Sequence, residues 1–258
     1  MNGSCYHVGH GQRIRAEQSA ESDPESALNY GTRDKNGMTA TLDEVYDRLL
    51  TAYGPQGWWP GETPFEVMVG AVLVQNTAWK NVEKAIENLR QADLLEPNRL
   101  FATVPEELEE LIRPAGYFRL KARRLRNLLA LVVEQYAGSL EQMFASDAET
   151  LRAELLAVNG IGPETADSIL LYAANKARFV VDTYTQRVFK RHGWLEEEAD
   201  YHATQAHFES NLERDSTLYG EYHALLVRVG HLHCRKTARC EACPLEDLLP
   251  ESGIQLPE

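Results

Sequence analysis

The sequence predicts an all-α protein, and three observations carry that prediction. Apolar residues recur at helical spacing along most of the chain rather than in alternation. Capping signals stand ahead of these stripes, as in Thr41 with Glu44 and Thr63 with Glu66. Only Phe179-Val180-Val181 reads as an extended segment. A chain of 258 residues can bury one large core or two modest ones, and 43% hydrophobic with 25% charged residues is ordinary for a folded protein.

In order, residues 1–37 are polar, rich in Ser, Gly, Asn and charges of both signs, without any period, and read as a disordered tail. The capping box of TLDEVYDRLLTAYG opens the first helix, which Gly54 stops. Thr63-Pro64-Phe65-Glu66 opens the second, with Pro at the first helical position and Phe65, Met68, Val69, Val72 and Leu73 as its apolar stripe. Further helices are expected at 79–92, 105–112, 120–136, 148–157, 163–175, 183–191, 201–214 and 218–230. Short polar turns join them, and 251–258 form a second tail.

Composition excludes some functions. A formal net charge of −13 argues against coating nucleic acid or membrane by bulk charge, and leaves room for a local basic face. No run approaches the ~20 apolar residues that span a bilayer, and no apolar segment follows the early arginines, so a cytoplasmic protein without membrane partners is expected. Four cysteines, one at Cys5 and three between Cys234 and Cys243, suit a reduced compartment and a metal site better than a disulfide framework.

One stretch points to a ligand. Between the helices at 148–157 and 163–175 lies Asn159-Gly160-Ile161-Gly162, with Pro163 starting the second helix. The glycines leave backbone N–H groups open at a helix N-terminus, which attracts phosphate, and let a nucleic-acid backbone approach. Ile161 would pin the turn to the core. A plain helix-turn-helix connection explains the same residues and is commoner. Asp182, placed after the apolar run, shifts the balance.

From Gly160-Ile161-Gly162 through Asp182, the chain resembles the helix-hairpin-helix DNA glycosylases related to endonuclease III. Three separated features agree in order: Gln75-Asn76-Thr77 after an amphipathic helix, the hairpin with its Asp, and a C-terminal cysteine cluster. The resemblance covers about 41–249 and implies a two-lobed fold. A helical barrel at 58–176 would carry the hairpin, and 38–57 with 177–250 would form the other lobe, with the DNA groove and base pocket between them. It further implies a monomer acting on damaged double-stranded DNA in the cytoplasm, on the nucleoid.

Breaking an N-glycosidic bond builds positive charge on the sugar, so a fixed carboxylate near C1′ stabilises the transition state and aligns a water. Asp182 is the candidate, and it equally suits an N-cap; the two roles are compatible. Two positions after the second hairpin glycine, where endonuclease III has a lysine that attacks the sugar, this chain has Glu164. A carboxylate forms no Schiff base, so the resemblance implies base removal without strand cleavage. Glu164 also suits a first-turn acid favoured by the helix dipole.

GWWPGETPFEVMVGAVLVQNTAW is most similar to the 3-methyladenine branch of this family. Trp58, Trp59 and Trp79 would stack on a cationic alkylated base, although at least one is expected to pack in the core. Gln75, with Asn76 beside it, is similar to the residue that fills the gap of a flipped nucleotide. The segment from Arg113 to Arg126 holds six basic residues and no acid, with Arg119 and Lys121 as candidate phosphate contacts beside Asn159, Thr165 and the hairpin glycines. Tyr117 or Phe118 suits the intercalating side or the core.

The cysteines depart from the family pattern of C-x6-C-x2-C-x5-C, because Cys234-x5-Cys240-x2-Cys243-x5 reaches Leu249. A [4Fe–4S] cluster would need an atypical fourth ligand, such as His231, His233 or Cys5. Zinc held by three thiolates and a histidine, or a loop packed without metal, are the alternatives. Three functions follow. The first is a monofunctional alkylpurine glycosylase. The second is a non-catalytic binder of distorted or abasic DNA, which would show no turnover. The third is a bifunctional lyase on oxidised pyrimidines, which borohydride would trap.

Overall fold

The computed structural model describes residues 32–33 and 39–254. The expected tail of 1–37 lies almost wholly outside them, as do Cys5 and 255–258. Thr32–Arg33 and Thr39–Ala40 form a minimal antiparallel pair, a local departure from the expected tail. Everything else is helical, apart from turns and the extended link that carries Phe179, Val180 and Val181.

The first helix, α1 (Leu42–Tyr53), starts where Thr41 Oγ1 accepts from Glu44 N at 3.2 Å and ends at Gly54, whose φ of +67° needs no Cβ. Thr63 caps α2 (Pro64–Leu73) in the same manner. After α3 (Trp79–Gln91) come α4 (Pro97–Ala102) and α5 (Pro105–Leu111). A 3-10 turn at Arg113–Ala115 leads into α6 (Phe118–Ala130), which ends in a π-turn at Leu131–Gln135. Next are α7 (Leu140–Ala145), α8 (Ala148–Ala157) and α9 (Pro163–Ser168), the last running on as a π-turn, Ile169–Ala173. Then follow α10 (Thr183–Arg191), α11 (Tyr201–Asn211) and α12 (Ser216–Leu232).

Two six-residue helices, α4 and α7, are additions to the sequence reading. Each carries a cap that was there to be read: Glu96 accepts from the Asn98 and Arg99 amides, and Ser139 from the Gln142 amide. Their stripes are too short to show a period.

Apolar burial divides into two cores. One joins α2, α3, α5, α6, α8 and α9, with Met68, Val72, Leu89, Leu125, Leu155 and Ile169 at its centre. The other joins α1 and α10 to α12 around Phe179, Phe208, Tyr219 and Tyr222. The segments flanking the second core come from both ends of the described chain, so the first is inserted into it. Between them, Asp167 is fully buried, and Arg152 donates to both of its carboxylate oxygens, at 2.6 and 3.0 Å. Tyr201 and Gln205 of α11 each donate to its Oδ2 at 2.8 Å, which ties the hairpin helix to the second core.

Candidate active site

The hairpin turn follows from its glycines. Gly160 has φ of +97°, and a Cβ there would collide with the Arg124 side chain. Ile161 is buried, Gly162 faces open space, and Asn159 is exposed with its carbonyl accepting from Asn127 Nδ2 at 2.9 Å. Thr165 is buried and takes no part in the outer surface; its Oγ1 accepts from Gln75 Nε2 at 2.9 Å. Gln75 also donates to Gly160 O at 3.4 Å and accepts from Arg124, so the amide is held across the hairpin on three sides. Asn76 beside it is exposed at φ +54°, a conformation Asn tolerates better than most residues.

Asp182 caps α10. Its Oδ1 accepts from the Tyr184 amide at 2.9 Å, the Thr185 amide at 2.7 Å and Thr185 Oγ1 at 3.0 Å. Three donors on one oxygen fix the carboxylate plane. Oδ2 is differently placed: it faces His223 Nε2, at 3.8 Å. The side chain keeps 12% of its surface exposed, and the cap engages only Oδ1.

Trp58, Trp59 and Trp79 pack on one another, with ring centroids 5.3 to 5.5 Å apart and interplanar angles of 54° to 89°. Two walls around a base need parallel rings ~7 Å apart, twice a stacking distance, so no pair of these indoles forms a slot. They form one aromatic block, and a base would stack on its outer face. Gly70 permits the block: a Cβ there would lie 3.2 Å from Trp59 Nε1 and 3.4 Å from Trp79. All three indole N–H groups are buried without a hydrogen-bond partner.

Two residues that the sequence reading passed over join this block to Asp182. Tyr172 packs on Trp59 at 5.5 Å between centroids, and its Oη lies 2.7 Å from His223 Nδ1 and 3.1 Å from Gly220 O. Burial pushes the Tyr172 phenol well above its ordinary value, with the Asp182 and Glu221 charges adding to it. Burial also holds His223 below the usual imidazole value, against the opposing pull of Asp182. The neutral imidazole is therefore its resting form. His223 sits in the apolar run GEYHALLV, where sequence offers only the reading of a core histidine.

Glu164, in the first turn of α9, is exposed by surface area, while the protein around it desolvates its carboxyl. That crowding pushes its carboxyl up to about 7, and the Asp182 charge acts in the same direction. Tyr117 is 70% exposed at φ +47°, ahead of α6. Phe118 is half-buried and lies under the Arg113 and Arg119 guanidinium groups.

Lys121 is a correction to the sequence reading. It is only 1% exposed, and its Nζ donates to Leu73 O at 2.7 Å and Ala115 O at 2.8 Å, so it does not face DNA. Burial pushes its amine down to about 8. Its two bonds pin the end of α2, just before Gln75, to the turn just before Tyr117. Arg126 also turns inward, donating to Thr103 O at 2.8 Å. Arg119 remains 81% exposed, with Glu109 3.6 Å away, and Arg113 pairs with Glu110. The basic segment therefore meets acids from α5 that its own sequence lacks.

The cysteine loop does not fit a four-iron cluster. Cys234, Cys240 and Cys243 are free thiols around a cavity of about 20 Å³, room for a single water. Leu249 and Ile254 line the same cavity, and Arg191 donates to Cys234 Sγ at 3.4 Å and to Lys236 O at 2.9 Å. His231 packs on Tyr184, and His233 Nδ1 lies 3.1 Å from Arg239 O. Among the described residues, no group of three or more His, Cys, Asp or Glu side chains converges to hold a metal. The donor set expected at Cys234, Cys240 and Cys243 lines one small cavity without converging as a metal-holding group among the described residues, and Arg191 braces the loop.

The two-core helical fold, with a two-glycine hairpin, a cap aspartate and an aromatic block joined to that aspartate through Tyr172 and His223, is that of helix-hairpin-helix proteins. The model of the HhH-GPD superfamily of base excision DNA repair proteins matches residues 69–214, and the chain belongs to that family. A Methanocaldococcus jannaschii protein assigned as a DNA repair glycosylase is 52% identical over 215 residues, 83% of this chain and 97% of that protein. Endonuclease III of Thermotoga maritima is 30% identical over 71% of this chain and 81% of its own. The H. pylori 3-methyladenine DNA glycosylase bound to 1,N6-ethenoadenine superposes with a TM-score of 0.64 at 32% identity, covering 73% of this chain and 96% of that one. The chain is thus an endonuclease III-like DNA glycosylase of base excision repair, with DNA as its partner. Among the described residues, no helix is long and apolar enough to cross a membrane.

Proposed function

We propose that this protein is a monofunctional glycosylase that flips an alkylated purine, of the 3-methyladenine type, out of duplex DNA and hydrolyses its N-glycosidic bond. One observation carries the reading: the aromatic block of Trp58, Trp59, Trp79 and Tyr172 leads through His223 to a carboxylate whose Oδ2 takes no part in the cap. A base alkylated on a ring nitrogen is positively charged and already a good leaving group. It gains from an electron-rich ring face, and needs no strong acid to depart. As the bond breaks, charge develops at C1′, and Asp182 supplies the fixed opposite charge while taking a proton from the attacking water.

The absence of a nucleophilic amine at Glu164 supports hydrolysis without strand cleavage, and Lys121 supplies none in its place, being buried with its amine already donating to two carbonyls. Gln75 on one side and Tyr117 on the other suit the filling of the space left by the extruded nucleotide. The likeness to the H. pylori 3-methyladenine enzyme supports the same substrate class.

The test is single-turnover excision on duplex DNA carrying 3-methyladenine, with and without alkali, beside Asp182→Asn. Strand breaks should require alkali, and the variant should lose them while still binding the duplex. Breaks formed without alkali, or trapping by borohydride, would replace this reading with a lyase.

A further inference from the structure

Asp182 reaches the end of the aromatic block only through His223, and the geometry around that imidazole is unusually restricted. Its side chain is 7% exposed. Nδ1 is engaged by Tyr172 Oη at 2.7 Å, whereas Nε2 is buried, has no hydrogen-bond partner, and faces Asp182 Oδ2 at 3.8 Å. The groups it meets are Tyr172 from the π-turn after α9 and Asp182 from the head of α10, and the same Tyr172 hydroxyl lies 3.1 Å from Gly220 O, one turn earlier in the helix of His223.

The phenol proton decides the tautomer. If Tyr172 donates to Gly220 O, His223 must donate from Nδ1, and the Nε2 lone pair confronts a carboxylate oxygen. If Tyr172 donates to Nδ1, the proton sits on Nε2 and points at Oδ2. The second arrangement replaces a repulsion with an attraction, and the shorter of the two Tyr172 contacts agrees with it.

We propose that His223 is a positioning residue for Asp182, a neutral imidazole whose Nε2–H, set by Tyr172, closes on Oδ2 and holds that oxygen toward the sugar when a nucleotide is seated. The α10 cap fixes one oxygen and His223 fixes the other, so the carboxylate cannot rotate away as charge develops. Tyr172 thereby has two faces: its ring extends the wall on which the base stacks, and its hydroxyl sets the catalytic geometry. The inference rests on Asp182 as the catalytic carboxylate, and its test separates the two.

Long-range ¹H–¹⁵N correlation of ¹⁵N-histidine protein at neutral pH, with the signal assigned by its loss in His223→Gln, should show the Nε2–H tautomer. An Nδ1–H tautomer or an imidazolium overturns the proposal, whatever the activity on any lesion. In single-turnover base release, His223→Phe should be slower by on the order of 100-fold, the scale of one lost donor to a reacting charge. Its affinity for abasic duplex should be unchanged, and His223→Gln, which keeps an amide donor near the Nε2 position, should recover most of the rate. Equal loss in both variants, or none in His223→Phe, also overturns it. Activity persisting in Asp182→Asn would instead sink the catalytic reading of Asp182.

Discussion

Glu164 stands two positions after the second hairpin glycine, in the first turn of α9, and its own titration reports on its surroundings. Its carboxyl is raised to about 7 by crowding, so the folded state holds the proton more tightly than the unfolded chain. The contribution to stability is therefore complete below the ordinary carboxylate value of ~4.3 and is lost as pH rises through about 7. Glu164→Gln removes this titration. Thermal melts from pH 5 to pH 8 should show the wild type losing ground to the variant with rising pH; a constant gap would mean that Glu164 titrates normally. At this scale Asp182 was legible, because an N-cap after an apolar run and a two-glycine turn are both local patterns. His223 was not. It lies 51 residues beyond Tyr172, and only packing of the π-turn on α12 gives the pair meaning.

Among elements, α6 shows how a charge pattern misleads. Six basic residues without an acid read as a phosphate-binding face, yet α5, which carries Glu109 and Glu110, packs beside them, and Lys121 turns into the core. Arg119→Ala should lower the slope of log affinity against log salt by about one, as one phosphate contact would. Lys121→Met should leave that slope unchanged and instead cost roughly 2 kcal/mol of stability, because two buried carbonyls lose their donor. A slope change in Lys121→Met, measured by fluorescence anisotropy over a salt series, would restore it to the DNA face. Helices long enough for a full stripe were legible with their caps. The six-residue α4 and α7 were not, since short helices are held by packing more than by their own pattern.

For the whole molecule, the decisive group is Asp167, which lies between the two cores and is satisfied from both sides by Arg152, Tyr201 and Gln205. Asp167→Ala would strand the Arg152 cation, which has only 14% of its side chain exposed, and should cost on the order of 3–5 kcal/mol. Urea unfolding should show that loss as a lowered midpoint, with separate transitions for the two cores; a wild-type curve would deny the latch its role. Gln205 adds a bond to Phe179 O at 2.6 Å, and the Tyr172 hydroxyl spans the same junction at α12. Two cores fastened together in this way would resist parting, so for a protein that extrudes a base, as proposed above, the cost of distortion would fall on the duplex: tightly stacked pairs would be passed over and weakened ones would yield first.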